Sequence, residues 1–210
     1  MRELLSHPPK EGEYPLLIDH LQKVGEFCAS LIQKTHLNLK IPQSDLTLAS
    51  FIVGACHDFG KAKRPFQDYI WEGKTKGNKD HSLISSIFTF IVAKEFFDKA
   101  DKFSRLLPFI CAYVVNRHHG ILTNLEEAFP KDRLDDEFDI SKANLDERIW
   151  DFKIESPRYG VSLYFEDFKN NFFNFPIDPF AGQVQELARI LRDQAGRTEI
   201  QECLFDLYFS

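Results

Sequence analysis

Paired cysteines are missing from this chain of 210 residues. Its four cysteines, Cys28, Cys56, Cys111 and Cys203, are widely spaced among apolar neighbours, and no C-x-x-C occurs, which argues against a zinc knuckle or dithiol redox site and for buried thiols. Long hydrophobic runs are missing as well. None approaches the roughly 20 residues that cross a bilayer, so no membrane association is expected. The opening MRELLSHPPKEGEYP lacks the apolar segment of a secretory signal, so a cytoplasmic location is expected. There is no excess of positive charge: 26 Lys and Arg stand against 32 Asp and Glu, a net charge of −6. That argues against a protein that coats nucleic acid through a broad basic face, but not against a nuclease, because bound divalent ions supply positive charge locally. Repeats and low-complexity tracts are absent and strand-like alternation is scarce, which points to the all-α class.

What is present is a 43% hydrophobic composition in which 21 Phe far outnumber 6 Tyr and 2 Trp, enough for one compact domain over 1–210. The first helix is predicted from Tyr14 to about Lys34, with Leu17, Leu21, Val24, Cys28 and Leu31 inward and His20 beside them. Ser44 or Asp45 can cap a second helix, whose inward Leu46, Ala49, Val53 and Cys56 lead to His57, Asp58 and a terminating or bending Gly60. Asp80 can cap a third, with Ile84, Ile87, Phe88 and Ile91 inward and His81 at its mouth. A fourth begins near Phe103 or Pro108, places Leu107, Ile110, Cys111, Val114 and Val115 inward, and runs into Asn116-Arg117-His118-His119-Gly120. Between 123 and 180, acidic DRLDDEFD and aromatic NFFNFP alternate, which reads as an irregular, insert-like region with short helices. Helical periodicity returns from Phe180 through Val184, Leu187 and Ile190 to the end.

Five of the seven histidines, His20, His57, His81, His118 and His119, fall on or beside inward faces of four predicted helices; His7 and His36 sit in terminal or loop contexts. A single histidine on an apolar face is usually a hydrogen-bonded core residue. Five with an adjoining aspartate are better explained by a shared metal, since each unsatisfied buried imidazole costs on the order of 1–3 kcal/mol. A nitrogen and carboxylate donor set without thiolate suits Mn, Fe, Co, Ni or Mg. Adjacent helical residues point about 100° apart, so His57 and Asp58 can share one ion, or Asp58 can bridge two. Two ions at roughly 3.5–4 Å would point to phosphoester hydrolysis. Lys61 lies on the same side if the helix continues a turn, in place to neutralise a phosphate oxygen.

The motifs DHLQKV around His20, HDFGKAKRPFQDYI from His57, DHSLISS around His81 and NRHHG around His118 and His119 together resemble the HD superfamily of metal-dependent phosphohydrolases. Within it they are most similar to the HD nuclease domains of the Cas3 family, the effector nucleases of type I CRISPR interference, and the similarity covers about the first 120 residues. The resemblance implies an HD-type helical bundle with the metal site between helices. It implies one ion on His20, His57 and Asp58, a second on Asp58, His81, His118 and His119, and Lys61 at the scissile phosphate. It also implies a last ligand, an aspartate in a C-terminal helix; the chain reaches LFDLYFS, where Asp206 falls about two turns, roughly 10 Å, short of the matching position. A C-terminally truncated domain is therefore expected.

The expected activity is hydrolysis of single-stranded DNA, in antiviral defence, with Lys63, Arg64 and Arg117 guiding the strand's phosphates. The chain contains no P-loop, so unwinding and target choice would fall to partners that the resemblance implies, a Cas3 helicase part and the guide-RNA surveillance complex. The alternatives are an HD-family nucleotide phosphohydrolase and a catalytically silent module that holds metal for structural reasons.

Overall fold

The computed structural model describes residues 2–35, 37–73, 80–121 and 123–193. Among them the architecture is all-α apart from one short β-hairpin.

Helices α1 (Leu17–Lys34) and α2 (Gln43–Cys56) form a tightly packed pair. A glycine sets their separation: a Cβ on Gly54 would stand 2.6 Å from the Val24 carbonyl oxygen. The helices can approach so closely only where α1 also presents small residues, so its buried line is Leu17, Leu21, Gly25 and Ala29. This corrects the inward face expected from residue size, for Val24 is only half-buried and Leu31 is half-exposed. The start of α2 is corrected too. Pro42 occupies the N-cap position without a side-chain cap, and Asp45 instead accepts a hydrogen bond from Ser104 Oγ at 2.7 Å.

Helix α2 ends at Cys56, and a 3-10 turn over Phe59–Ala62 leads to α3 (Arg64–Glu72). Helix α4 (Ser82–Phe97) is buried on nearly every side, as its unbroken apolar sequence requires. The Asp80 carboxylate accepts from Ser82 N at 2.9 Å, which organises the start of α4. Helix α5 (Leu107–Arg117), with Pro108 in its first turn, packs on α4 and α2. Val114, expected inward, is exposed on it.

Residues 123–180 carry the short helices expected of them, but in a regular order that also includes a hairpin. They form α6 (Leu125–Ala128), α7 (Lys131–Ala143), a 3-10 turn (Glu147–Asp151), an antiparallel pair of β1 (Lys153–Ser156) and β2 (Val161–Tyr164), and α8 (Glu166–Phe173) before α9 (Ile177–Asp193). The aromatic residues that interrupted the helical pattern build one core. Phe59, next in sequence to Asp58, stacks on Phe88 at 3.9 Å and is enclosed by Trp150, Phe165 and Phe172. This core holds the 3-10 turn, and with it Asp58, at one place between α2 and α4. Cys56 and Cys111 are buried, and burial pushes the Cys111 thiol up to about 12; Cys28 is half-buried, and Cys203 lies outside the described residues. No helix among the described residues is long and apolar enough to cross a membrane.

Candidate metal centre

Each helix end delivers one or two of the expected ligands, and Asp58 stands in the middle of them. Its Oδ2 lies 2.9 Å from His20 Nε2, 3.1 Å from His57 Nε2 and 2.8 Å from Lys61 Nζ. Its Oδ1 lies 3.0 Å from His81 Nε2 and 3.4 Å from His118 Nε2. His119 Nε2 approaches His81 Nε2 at 3.0 Å. The donor atoms fall into two groups that share Asp58: His20, His57 and Asp58, and Asp58, His81, His118 and His119, with the atoms of each group within 4.8 Å of one another. These are the six residues singled out in the sequence, divided as the resemblance implied.

The ring protons can be placed from the carbonyls that the imidazoles face. His57 Nδ1 lies 2.8 Å from Gly54 O, and His118 Nδ1 lies 2.5 Å from Val115 O. A carbonyl only accepts, so both Nδ1 atoms are donors, and the neutral rings present bare Nε2 lone pairs to the Asp58 carboxylate. Acceptor then faces acceptor on both sides of Asp58, and Asp58 Oδ1 and His118 Nε2 have no aligned hydrogen-bond partner although both are buried. Protonating both rings would crowd two cations against a single carboxylate that is already paired with Lys61. A cation between the lone pairs satisfies every group at once, and the backbone-anchored Nδ1–H is the usual means of orienting a ligating histidine. The buried cluster is thus fit to hold a metal ion.

Where the rings of His118, His20, His57 and His81 turn a proton toward Asp58 instead, their hydrogen bonds outweigh the burial that would raise its carboxyl and hold the group far below the usual carboxylate range. Burial, then His118 and His81, lowers His119, which favours the neutral ring that metal binding needs.

Lys61 is buried, and besides its pairing with Asp58 it donates to Ser6 O at 3.2 Å. It sits on the 3-10 turn rather than on a continued helix, and the turn brings it to the same side. Lys63 departs from its expected role. It is 2% exposed, its ammonium is bonded to the Asp80 carbonyl, and burial lowers its pKa, so it braces the approach to α4 and offers a phosphate nothing. Arg64 is exposed at the start of α3. Arg117 lines a cleft of ≈ 510 Å³ together with His81 and His119, and its buried Nε has no partner.

Two contributors escaped the sequence reading. His7, set aside as terminal, packs its ring edge-on against His20 at 5.2 Å. Gln67, which lies within HDFGKAKRPFQDYI, clamps the N-terminal segment: its side chain accepts from Leu5 N at 3.0 Å and donates to Leu5 O and Lys61 O, both at 2.8 Å. The neighbouring Phe66 ring packs against His81 at 5.3 Å. No helical phase marks His7, and the stretch HDFGKAKRPFQDYI was the only trace of the clamp in the sequence. His36, Asp206 and the expected C-terminal helix beyond residue 193 lie outside the described residues.

No protein-family model, curated protein or solved structure matches the chain significantly. The functional reading therefore rests on the site itself.

Proposed function

We propose that this protein is a metal-dependent phosphodiesterase of the HD nuclease kind, acting on single-stranded DNA. The observation that carries the reading is the division of Asp58, whose two carboxylate oxygens each face a separate histidine group. One carboxylate shared by two nitrogen-rich groups is the ligand arrangement of a two-ion site, and two adjacent ions suit phosphoryl chemistry, where they can stabilise both the attacking and the leaving oxygen. The histidine-rich donors favour Mn, Fe, Co or Ni over Mg, which prefers oxygen ligands.

Bound ions would supply Lewis-acid polarisation of the phosphate and a nucleophilic water at neutral pH. The chain's own residues do the positioning. His57 and His118 are oriented by the Gly54 and Val115 carbonyls, and Asp58 is held by the aromatic core through Phe59. Lys61, with two of its three N–H groups on Asp58 and Ser6, has one left for a phosphate oxygen. Arg117 lines the cleft beside His119, where its positive charge favours a neighbouring phosphate.

A polymeric substrate is favoured over a mononucleotide because the cluster is bordered by two open clefts rather than enclosed. One runs past His81 and His119, and the other past His7 and His20. In this reading a helicase and a guide-RNA complex of type I CRISPR interference supply the unwound strand. The test is incubation with circular single-stranded DNA and with mononucleotides, adding Mg, Mn, Co or Ni in turn, beside a His57→Ala, Asp58→Ala double variant. DNA cleavage with a transition ion, falling to background in the double variant, is the expected result. Release of phosphate from mononucleotides alone would indicate a nucleotide phosphohydrolase, and no metal-dependent turnover would indicate a silent module.

A further inference from the structure

The N-terminal segment folds back as a hydrogen-bonded loop. Ser6 N donates to Pro15 O at 2.9 Å, Leu17 N to Leu4 O at 2.8 Å, and a turn at Lys10–Glu13 closes the tip. Gln67 fixes this loop to the site. Between the loop and the first turns of α1 runs a cleft of ≈ 370 Å³ lined by His7, Lys10, Tyr14, His20 and Lys23, with Glu13 and Asp19 also on its walls. One end of this cleft is therefore the metal cluster itself, through His20.

Tyr14 is 56% exposed, and its ring pairs with Trp71 at 5.6 Å and an angle of 30°. Trp71 is braced from below: its indole N–H donates to Glu3 O at 3.2 Å, and the Arg2 guanidinium, paired with Glu72, lies 5.4 Å over its ring. A large aromatic left in solvent, backed by a second fixed aromatic and a cation, is a poor core element but a good stacking surface. Sequence-tolerant binding of unpaired strands combines such aromatic platforms with nearby cations that track the phosphates.

We infer that this cleft is the track of the unpaired strand on the His20 side of the metal cluster, with a base stacked on Tyr14–Trp71 and phosphates beside Lys23 and Lys10. The inference rests on the proposed nuclease activity and adds to it where the strand lies. Because Glu13 and Asp19 offset the two lysines, stacking carries more of the binding than charge does.

The test is steady-state hydrolysis of dT12 by the metal-loaded protein, together with its tryptophan fluorescence. Tyr14→Ala is expected to raise KM about tenfold, the scale of one lost base stack, with kcat within twofold, and Tyr14→Phe to restore KM. Lys23→Ala is expected to flatten the dependence of log KM on log salt by about 0.7, one single-strand phosphate contact. dT12 should quench Trp71, the half-buried one of the two tryptophans and the one that backs Tyr14, since Trp150 is 2% exposed. An unchanged KM in Tyr14→Ala, or no quenching, overturns the inference. If dT12 is not hydrolysed at all, the nuclease reading has failed; quenching by uncut dT12, weakened about tenfold in Tyr14→Ala, then decides the cleft alone.

Discussion

Asp58→Asn is expected to strip the protein of bound metal at both groups, to reduce hydrolysis to background and to weaken the fold. The substitution keeps the volume of a side chain that is 2% exposed, so packing hardly changes and the effects are those of charge. Asp58 is the one residue common to both ligand groups, and without its carboxylate each group retains neutral imidazoles alone. Lys61 also loses its partner at 2.8 Å and is left as a buried, uncompensated ammonium. Removing one member of a buried ion pair costs about 3–5 kcal/mol. Metal analysis and thermal unfolding check this jointly: the variant should carry no stoichiometric metal and should unfold earlier than the wild type even when both are stripped with chelator. Wild-type stability in the stripped variant would mean that the Lys61 pairing contributes nothing.

A methyl group at Gly60 is expected to disable one half of the centre. The added Cβ would lie 2.4 Å from Ile84 Cγ2, 2.6 Å from His81 O and 2.8 Å from His81 Cβ. A backbone oxygen cannot step aside like a flexible side-chain tip, so the 3-10 turn and the start of α4 must separate. That also stretches the bond from Gly60 N to Ser85 Oγ, now 2.8 Å. Overpacking of this kind costs about 1–3 kcal/mol, and here the displacement falls on His81. Gly60→Ala should therefore lower stability and halve the bound metal, emptying the group of His81, His118 and His119 and sparing that of His20 and His57. Full metal content at wild-type stability would contradict the assigned contact.

The six candidate ligands were legible in the sequence because His20 lies beside the apolar stripe of α1 and the other five stand where such a stripe meets a polar helix end, as in GACHDFGK at the end of α2 and NRHHG at the end of α5. A stripe read from large residues misplaced the inner face of α1, because a helix packed backbone-to-backbone against Gly54 buries Gly25 and Ala29 instead. The hairpin was illegible for another reason: KIES and VSLY are four residues each, too short for an alternation to stand out, and their pairing is fixed by burial of Ile154, Val161 and Leu163 against the aromatic core. Lys63 is expected at the strand's phosphates because a lysine near the site ordinarily keeps its ammonium accessible, and nothing local announces that this ammonium reaches a carbonyl 17 residues away. The part played by His7 depends on Gln67 gripping Leu5 across 62 residues, a contact that exists only once the loop has folded back.

The central claim is that Asp58 joins two cation sites. Anomalous scattering from crystals grown with Mn, Co or Ni tests it most directly. Two peaks are expected, one bounded by His20, His57 and Asp58 and the other by Asp58, His81, His118 and His119, with the Asp58 carboxylate between them. A cluster that binds no ion at millimolar metal, or ions bound away from Asp58, would contradict it.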